Sequence, residues 1–325
     1  MYDLSISSDG RDPAAAFLAK LAAGSKAGRR RIWIANHLFQ RDPIALAGAA
    51  LAADANIDVA LMAMSPFTLH PVQLAMSVAT LAEFYPGRVA LCLGVGAPAD
   101  LASVAVAADK PLGPMREAIR ITRAVLAGET VKFEGQSFTV RQRRLVNPAA
   151  DVPIILAASG PKMLEMAGAE ADGVLISAAT SVEFVRWCLA HVAEGAKGRA
   201  VRRIGLVYGA VADEAASAHQ RLRRMLAITL RGAHHTQNLE LAGNKLDQAA
   251  LAAAVAAEDW PAAFGLISDR IVATHAASGT PSDVAARFSA YRSAGLDELV
   301  LSGVTDSQQL TGLIDAAGLA AKGES

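Results

Sequence analysis

The sequence is poor in the residues that mark secreted and membrane-bound proteins. Only two cysteines occur in 325 residues; Cys92 falls in an apolar strand pattern and Cys188 in an amphipathic helix pattern. This predicts two buried, reduced thiols rather than a disulfide. No apolar run is long enough to span a bilayer, and the opening MYDLSISSDG has neither the basic nor the apolar region of a signal peptide. We therefore expect a cytoplasmic protein with no membrane partner.

Neither positive nor negative charge is in excess. Lys and Arg number 31, as do Asp and Glu, so the sequence predicts no nucleic-acid partner and no anionic membrane surface. Aromatic residues make up only 5% of the chain, whereas hydrophobic residues make up 53%. The composition thus predicts a large aliphatic core.

Strand-like and helical patterns alternate along the chain. Helical segments such as Met115–Ala127, which stops at Gly128, separate the strands. Eight βα units predict an α/β fold with a parallel sheet, and they favour closure as a (β/α)8 TIM barrel over an open doubly wound sheet. The eight predicted strands are Asp3–Ser7, Arg31–Ala35, Ile57–Ala63, Arg88–Gly94, Val152–Ala158, Gly173–Ser177, Arg203–Val211 and Glu298–Ser302.

Two segments depart from the plain βα repeat, and we interpret 1–325 as a single domain that contains both. Residues 129–147 alternate polar and apolar around Gly135, which predicts a small hairpin. Residues 212–267, between the seventh and eighth strands, predict a helical insertion over the active-site face. This insertion is rich in alanine, so we expect weak anchoring. Its pair His234-His235 is expected to be exposed and polar rather than metal-binding.

In a TIM barrel the active site lies at the carboxyl ends of the strands. This rule selects the segments that follow strands two to six. His37 comes directly after the second strand, and an imidazole can exchange a proton near neutral pH. A purely structural histidine is the alternative. The other candidates selected by this rule are Asn36, Ala63, Met64, Ser65, Gly94, Val95, Gly96, Ser159, Gly160, Pro161, Lys162 and Ser177.

Two glycine motifs among these candidates have different interpretations. Gly160-Pro161 opens a helix, where free N–H groups and the positive dipole end favour phosphate, although a plain helix start is the alternative. Gly94-Val95-Gly96 lacks the third glycine of a dinucleotide fingerprint, since Ala99 occupies that place. We interpret these two glycines as allowing a ligand close to the backbone.

The chain resembles the luciferase-like monooxygenase superfamily, in particular the branch of coenzyme F420-dependent reductases. The resemblance runs from about Ile32 to Gly303. It is carried by Leu81, Gly87, Arg88, Gly94 and Gly96 in order, by Asn36-His37 followed by Arg41-Asp42-Pro43, and by Gly160-Pro161 followed by Ala171-Asp172-Gly173.

The resemblance implies the cofactor, the site and the assembly. It implies FMN or coenzyme F420, with His37 near the reactive ring edge and the cofactor phosphate at the helix that follows Gly160. The family often has a non-prolyl cis peptide and a bulge near Met64, but relatives place glycine there and this chain has none between Met62 and Thr68. A homodimer is also implied.

The function expected from this resemblance is a flavin- or deazaflavin-dependent oxidoreductase. It would transfer a hydride between FMN or F420 and a small organic substrate, and with FMN it could act as a monooxygenase. Two alternatives stay open: a non-catalytic flavin-binding carrier and a cofactor-free barrel hydrolase. No G-x-S-x-G elbow surrounds Ser5, Ser159 or Ser177, which argues against the hydrolase.

Overall fold

The computed structural model describes residues 3–26, 30–304 and 306–322, so Met1 and Tyr2 of the opening segment lie outside the described residues. The described chain forms two compact units. The first comprises residues 3–7, 176–190 and 203–322, and the second comprises residues 8–175 and 191–202. Strands and helices alternate through both units. Within the described residues, no helix combines the length and the hydrophobicity that a bilayer-spanning segment requires.

Eleven strands are present in the described chain. They are β1 (Asp3–Ser8), β2 (Arg30–Ala35), β3 (Ile57–Met64), β4 (Val89–Leu93), β5 (Val131–Glu134), β6 (Thr139–Arg143), β7 (Ile154–Ala157), β8 (Gly173–Ile176), β9 (Arg202–Val211), β10 (Ala277–Gly279) and β11 (Glu298–Ser302). Each of the eight predicted strands is confirmed, with ends that shift by at most two residues. The hairpin predicted within 129–147 is the antiparallel pair β5–β6.

The helices fill the segments between the strands. They are α1 (Ala14–Lys26), α2 (Pro43–Ala53), α3 (Pro71–Phe84), α4 (Pro98–Ser103), α5 (Leu112–Leu126), α6 (Pro161–Glu170), α7 (Val182–Ala196), α8 (Ala215–Leu230), α9 (Thr236–Leu241), α10 (Gln248–Ala256), α11 (Trp260–Leu266), α12 (Asp269–His275), α13 (Pro281–Ser293) and α14 (Ser307–Lys322). A 3₁₀ turn, Ala233–His235, precedes α9.

The second unit contains the parallel ladder β2–β3–β4–β7–β8. Its strands are apolar throughout because helices cover them: every residue of β4 is buried, and Trp33 in β2 has no exposed surface. The β3–β4 ladder is irregular, since Leu61 pairs with Leu91 but Met64 pairs with Leu93. Two residues of β3, Met62 and Ala63, therefore lie opposite the single residue Cys92 of β4, which is a bulge at the end of β3.

The first unit contains the parallel ladder β1–β11–β9–β10. Strand β10 was not predicted, because Ala277-Ser278-Gly279 has no β-branched or aromatic residue; it pairs with the end of β9, Ala277 beside Gly209. Helix α13 begins with a capping box in which Thr280 and Asp283 satisfy each other's backbone N–H groups, with Pro281 in the first turn.

Helices α8 to α12 have an apolar core of their own. Leu226, Leu230 and Ile267 have no exposed surface, and they pack in one cluster with residues of α10 and α12. The burial differs from the weak anchoring expected of an alanine-rich segment, because most of the leucine and isoleucine side chains point inward, with Ile228 and Leu241 as exposed exceptions.

Both cysteines are buried and free, as predicted. Burial raises the pKa of the Cys188 thiol to about 12 and raises the pKa of the Cys92 thiol as well. Both side chains are therefore inert thiols in the core.

Candidate active site

A histidine and a carboxylate meet at the carboxyl ends of β2 and β4. His37 follows β2, and its Nδ1 lies 3.2 Å from Oδ2 of Asp100, which belongs to the first turn of α4. The same carboxylate oxygen accepts a hydrogen bond from the backbone N–H of Leu38, at 3.2 Å. The His37 side chain is 40% exposed and that of Asp100 25%, so both groups are accessible to solvent.

This contact fixes the hydrogen-bonding state of the imidazole. An ionised carboxylate can only accept, so Nδ1 of His37 carries the proton that Asp100 binds. The neutral ring then presents an Nε2 lone pair on its other side. Asp100 thereby orients a group that can accept a proton at Nε2. Sequence reasoning missed Asp100: Pro98 marks a helix start, but no local pattern pairs an acid with a histidine 63 residues away.

The loop that carries His37 is held at its far end. Arg41 Nη1 donates to the carbonyl of Gly10 at 2.9 Å, and Asp42 caps α2 by accepting from Ala45 N at 2.8 Å. Between the bond of Leu38 N–H to Asp100 and the Arg41 anchor, Phe39 has a φ of 63° and its side chain is 83% exposed. A positive φ costs energy at a residue with a Cβ, so the anchors at both ends maintain this conformation.

Ser65 joins the ends of β3 and β4. Its hydroxyl donates to the carbonyl of Val95 at 2.6 Å and accepts from Phe67 N at 3.2 Å, and Ser65 is 2% exposed. Met64 is buried as well, and Ala63 is half-buried. The described residues contain no cis peptide bond; the bulge implied by the resemblance is present without one.

The glycines after β4 have a packing reason that sequence reasoning did not identify. A Cβ on Gly94 would lie 2.6 Å from the Cβ of Ala63 and 3.3 Å from that of Ala157. Gly96 has a φ of +103°, which disfavours any residue with a side chain. Packing against neighbouring strands therefore suffices to explain Gly94, and the positive φ suffices to explain Gly96. The predicted role of both glycines in approaching a ligand stays a prediction.

The start of α6 is open in front of the backbone. Gly160 is the N-cap, Pro161 occupies the first turn, and no side chain caps the helix. A Cβ built on Gly160 meets no heavy atom within 4 Å. The ammonium of Lys162, predicted as a possible phosphate ligand, instead contacts Glu165 at 3.1 Å, and its side chain is 74% exposed. Ser159, just before Gly160, is half-buried.

Ser177 belongs to the first unit, where it begins a turn that side chains hold in place. Thr180 Oγ1 donates to the carbonyl of Ser177 at 3.2 Å. Asn238, with no exposed surface, donates from Nδ2 to the carbonyl of Ala179 at 2.7 Å and accepts from Ser181 N at 2.9 Å. Tyr291 donates its hydroxyl to the carbonyl of Thr180 at 2.6 Å.

Buried histidines complete this turn. His234 is exposed, as predicted, but His235 is buried, which corrects the expectation for that residue. His235 is 3% exposed, and burial, with His234 and His275 nearby, lowers its pKa to about 3. His275 is 1% exposed; its Nδ1 donates to the carbonyl of Ala179 at 3.1 Å and its Nε2 accepts from Asn244 at 3.1 Å. Burial lowers the pKa of His275 to about 4, so both rings are neutral at physiological pH.

The second unit thus brings most of the predicted residues to strand ends of one ladder. Direct contacts join the loops after β2 and β4 through His37 and Asp100, and the loops after β3 and β4 through Ser65 and Val95. Asn36 precedes His37 and is half-buried. Ser159 to Lys162 follow β7 in the same ladder.

Comparison with known proteins gives the fold and the family. A 5,10-methylenetetrahydromethanopterin reductase of Methanolobus tindarius is 30% identical over 294 residues, covering 88% of each chain. The solved coenzyme F420 dependent tetrahydromethanopterin reductase of Methanopyrus kandleri superposes with a TM-score of 0.87 at 21% identity, covering 97% of each chain. A type II Baeyer-Villiger monooxygenase of Pseudomonas putida in complex with FMN gives a TM-score of 0.71 at 16% identity, covering 99% of this chain and 98% of the other.

These structural likenesses show that the fold is the predicted (β/α)8 TIM barrel with a helical insertion before the last barrel strand. The model that describes the luciferase-like monooxygenase family matches residues 5–298. The chain therefore belongs to the luciferase-like monooxygenase family.

Proposed function

We propose that the protein is an oxidoreductase that binds coenzyme F420 and transfers a hydride between the deazaflavin and a small organic substrate. Family membership and the named relatives support an enzyme that works with a flavin or a deazaflavin. The observation that carries the choice of F420 is the structural likeness to an F420-dependent reductase, with a TM-score of 0.87 against 0.71 for the FMN-bound monooxygenase.

The start of α6 fits the phosphate of such a cofactor. Gly160 has unoccupied space in front of its Cα, and a side chain there would fill it. Backbone N–H groups in the first turn of a helix have no partner within the helix and favour an anion. Gly160, Pro161 and the turn they begin would therefore hold the phosphate, while Lys162 is engaged by Glu165.

The loop after β2 fits a ring with polar edges. Gln40 Oε1 is buried and has no hydrogen-bond partner among the described residues, so the loop retains an acceptor. Asn36 and His37 are half-buried in the same loop, where they would contact the ring. The bulge at Ala63 and Met64 would support it from the end of β3.

When bound, F420 supplies a ring that accepts and donates a hydride. The protein then has to bind, orient and handle a proton. His37 would accept or return a proton at Nε2, because Asp100 holds the other proton at Nδ1. Asp100 would also stabilise the imidazolium while that proton resides on the ring. Phe39 and the exposed loop around it would exclude water from the substrate.

Absorbance titration of the purified protein with F420 and, separately, with FMN tests the cofactor. We expect saturable binding of F420 with weaker binding of FMN. The reverse preference would contradict the F420 assignment and favour monooxygenase chemistry. Binding of neither cofactor would contradict both and favour the cofactor-free hydrolase.

A turnover assay distinguishes an oxidoreductase from a non-catalytic carrier. The protein loaded with oxidised F420 is incubated with alcohols as hydride donors, and the protein loaded with reduced F420 is incubated with aldehydes, imines and activated alkenes as hydride acceptors. The F420 absorbance should change with at least one reactant class. Binding without any turnover over the panel would favour a non-catalytic carrier.

Three further statements belong to this proposal: that residues 1–325 act as one domain with 212–267 over the active-site face, that the protein works in the cytoplasm, and that it forms a homodimer. Sedimentation equilibrium tests the last, since a single species at the 33.6 kDa monomer mass would contradict it.

A further inference from the structure

A cavity that the proposed reaction does not use lies between two helices of the first unit. Its volume is about 490 Å³, within the range of small-molecule sites. Both α8 and α13 pack against strand β10, whose Ser278 lines the space. Half of the lining residues are alanines, so the walls are smooth and apolar between a few polar groups. The lining residues are Ala215, His219, Ala273, Ser278, Asp283, Ala286, Arg287 and Ala290.

Two oppositely charged side chains of α13 line this cavity, and each forms hydrogen bonds to a different partner rather than to the other. Asp283 and Arg287 are four residues apart, which places them on one face of the helix. The Asp283 carboxylate accepts from Thr280 N at 2.9 Å and from the Thr280 hydroxyl at 2.7 Å. The Arg287 guanidinium donates instead to the carbonyl of Ala273 at the end of α12. The two charges are thus fixed at separate points of the same wall.

Both groups on this wall are charged at neutral pH. The hydrogen bonds from Thr280 lower the pKa of Asp283, so the carboxylate is ionised. A guanidinium stays protonated at every physiological pH. With Nη2 bonded to Ala273, the remaining N–H groups of Arg287 are available as donors.

The opposite wall carries a buried imidazole with one committed nitrogen. His219 is 7% exposed, and its Nδ1 lies 2.8 Å from the hydroxyl of Ser278. Its Nε2 has no hydrogen-bond partner among the described residues. His219 lines the cavity, and its Nε2 is not among the fully buried unpaired atoms of the described chain, so this nitrogen is accessible to a ligand in the cavity.

We propose that this cavity binds a small zwitterion of the α-amino acid type. The carboxylate would bind to Arg287 and to Nε2 of His219, and the ammonium group to Asp283. The short side chain would lie against the alanines. A simple anion or a simple cation is a poorer complement, because each would bring one charge beside a fixed charge of the same sign.

Three probes that differ in one group at a time test this charge complement. L-Alanine carries both charges, propionate has only the carboxylate, and ethylamine has only the ammonium group. Each is titrated into the full-length protein labelled with ¹⁵N, with and without F420, and the shifts of the His219 ring and of the α13 amides are followed. We expect saturable shifts with L-alanine and at least tenfold weaker binding of the other two probes, with or without F420.

Three variants test whether L-alanine binds in this cavity. Arg287→Gln should weaken L-alanine at least tenfold, and Asp283→Asn should remove the preference for L-alanine over propionate. Ala286→Phe fills the cavity from an exposed helix position and keeps every polar group, so it should abolish binding with an unchanged melting temperature. This last variant keeps the test valid if the polar variants fold poorly.

Two results would overturn the proposal. One is the absence of any saturable shift with L-alanine, or equal affinity for all three probes. The other is binding of L-alanine that survives Ala286→Phe, because the probe would then lie elsewhere. Neither result depends on whether F420 is the cofactor.

Discussion

The loops of the candidate site and the helical segment before β11 use polar residues in opposite ways. We call residues 36–42, 94–100 and 159–163 the site loops, and residues 215–275 the helical segment. In the site loops, His37 and Gly160 are accessible, and few contacts hold them. In the helical segment, Asn238 and His275 are buried and bonded at both ends. The polar groups of the site loops are available for chemistry, whereas those of the helical segment form buried hydrogen bonds that stabilise the fold.

Acid should affect the helical segment more than any single substitution. His275 has an ordinary pKa of 6.5 when unfolded and about 4 in the folded protein, so the unfolded chain binds more protons between these values. Stability should therefore fall as pH drops from 6.5 to 4, by about 3 kcal/mol for His275 alone, and should be flat above. Burial depresses the pKa of His235 as well, to about 3, which adds to the fall.

Urea unfolding at several pH values measures this dependence. His275→Gln should make the curve between pH 4 and 6.5 less steep, with the contribution of His235 remaining. A variant curve as steep as that of the parent protein would show that the histidine is not buried and neutral.

Loss of the imidazole in the site loops should affect turnover and leave stability unchanged. His37→Ala should lower turnover by roughly 10²-fold or more, with F420 affinity within a few-fold, because the ring handles a proton and does not hold the fold. Asp100→Asn keeps an acceptor near Nδ1 but removes the charge, so a smaller loss of roughly tenfold is expected. Steady-state kinetics with each variant decides; turnover of His37→Ala near that of the parent would assign the residue a structural role.

Loss of the buried Asn238 amide should lower stability, in contrast to loss of the His37 imidazole, which should lower turnover. Asn238→Ala leaves the carbonyl of Ala179 and the N–H of Ser181 without the partner that Asn238 supplied, which should cost about 2–3 kcal/mol of unfolding free energy. The matched control is Asn147→Ala, since Asn147 is exposed and bonded to Glu83 at 3.0 Å; it should cost well under 1 kcal/mol. Equal losses in urea unfolding would remove the distinction between the two regions.

The smallest effect concerns the start of α6. Gly160→Val should lower cofactor affinity at least tenfold, about 1.4 kcal/mol, because the side chain would occupy the space for the phosphate. The fold should be intact, since a Cβ at Gly160 meets no atom within 4 Å. Lys162→Ala is the control: its ammonium is bonded to Glu165, so affinity should stay within a few-fold. Spectral titration measures both, and an unchanged affinity for Gly160→Val would exclude phosphate binding there.

The difference between local patterns and contacts of distant segments determines which features could be predicted from the sequence. Strand ends could be predicted because apolar runs such as Val89–Leu93 are local, and the barrel rule then selects the residues that follow them. Asp100 could not be paired with His37, because that contact depends on how two strand ends meet. The burial of His235 could not be predicted either. Its Nδ1 lies 3.4 Å from Nδ2 of Asn238, which also binds Ser181 in a turn 57 residues away from Asn238.

Hydrogen–deuterium exchange with and without F420 tests the central claim most directly. The site loops should lose deuterium uptake when F420 is added, in residues 36–42, 94–100 and 159–163 together. The amides of Leu222–Leu230, packed in the core of the helical segment, should exchange slowly in both states and change little. Protection confined to the helical segment, or no protection in the site loops at saturating F420, would contradict the assignment of the cofactor site.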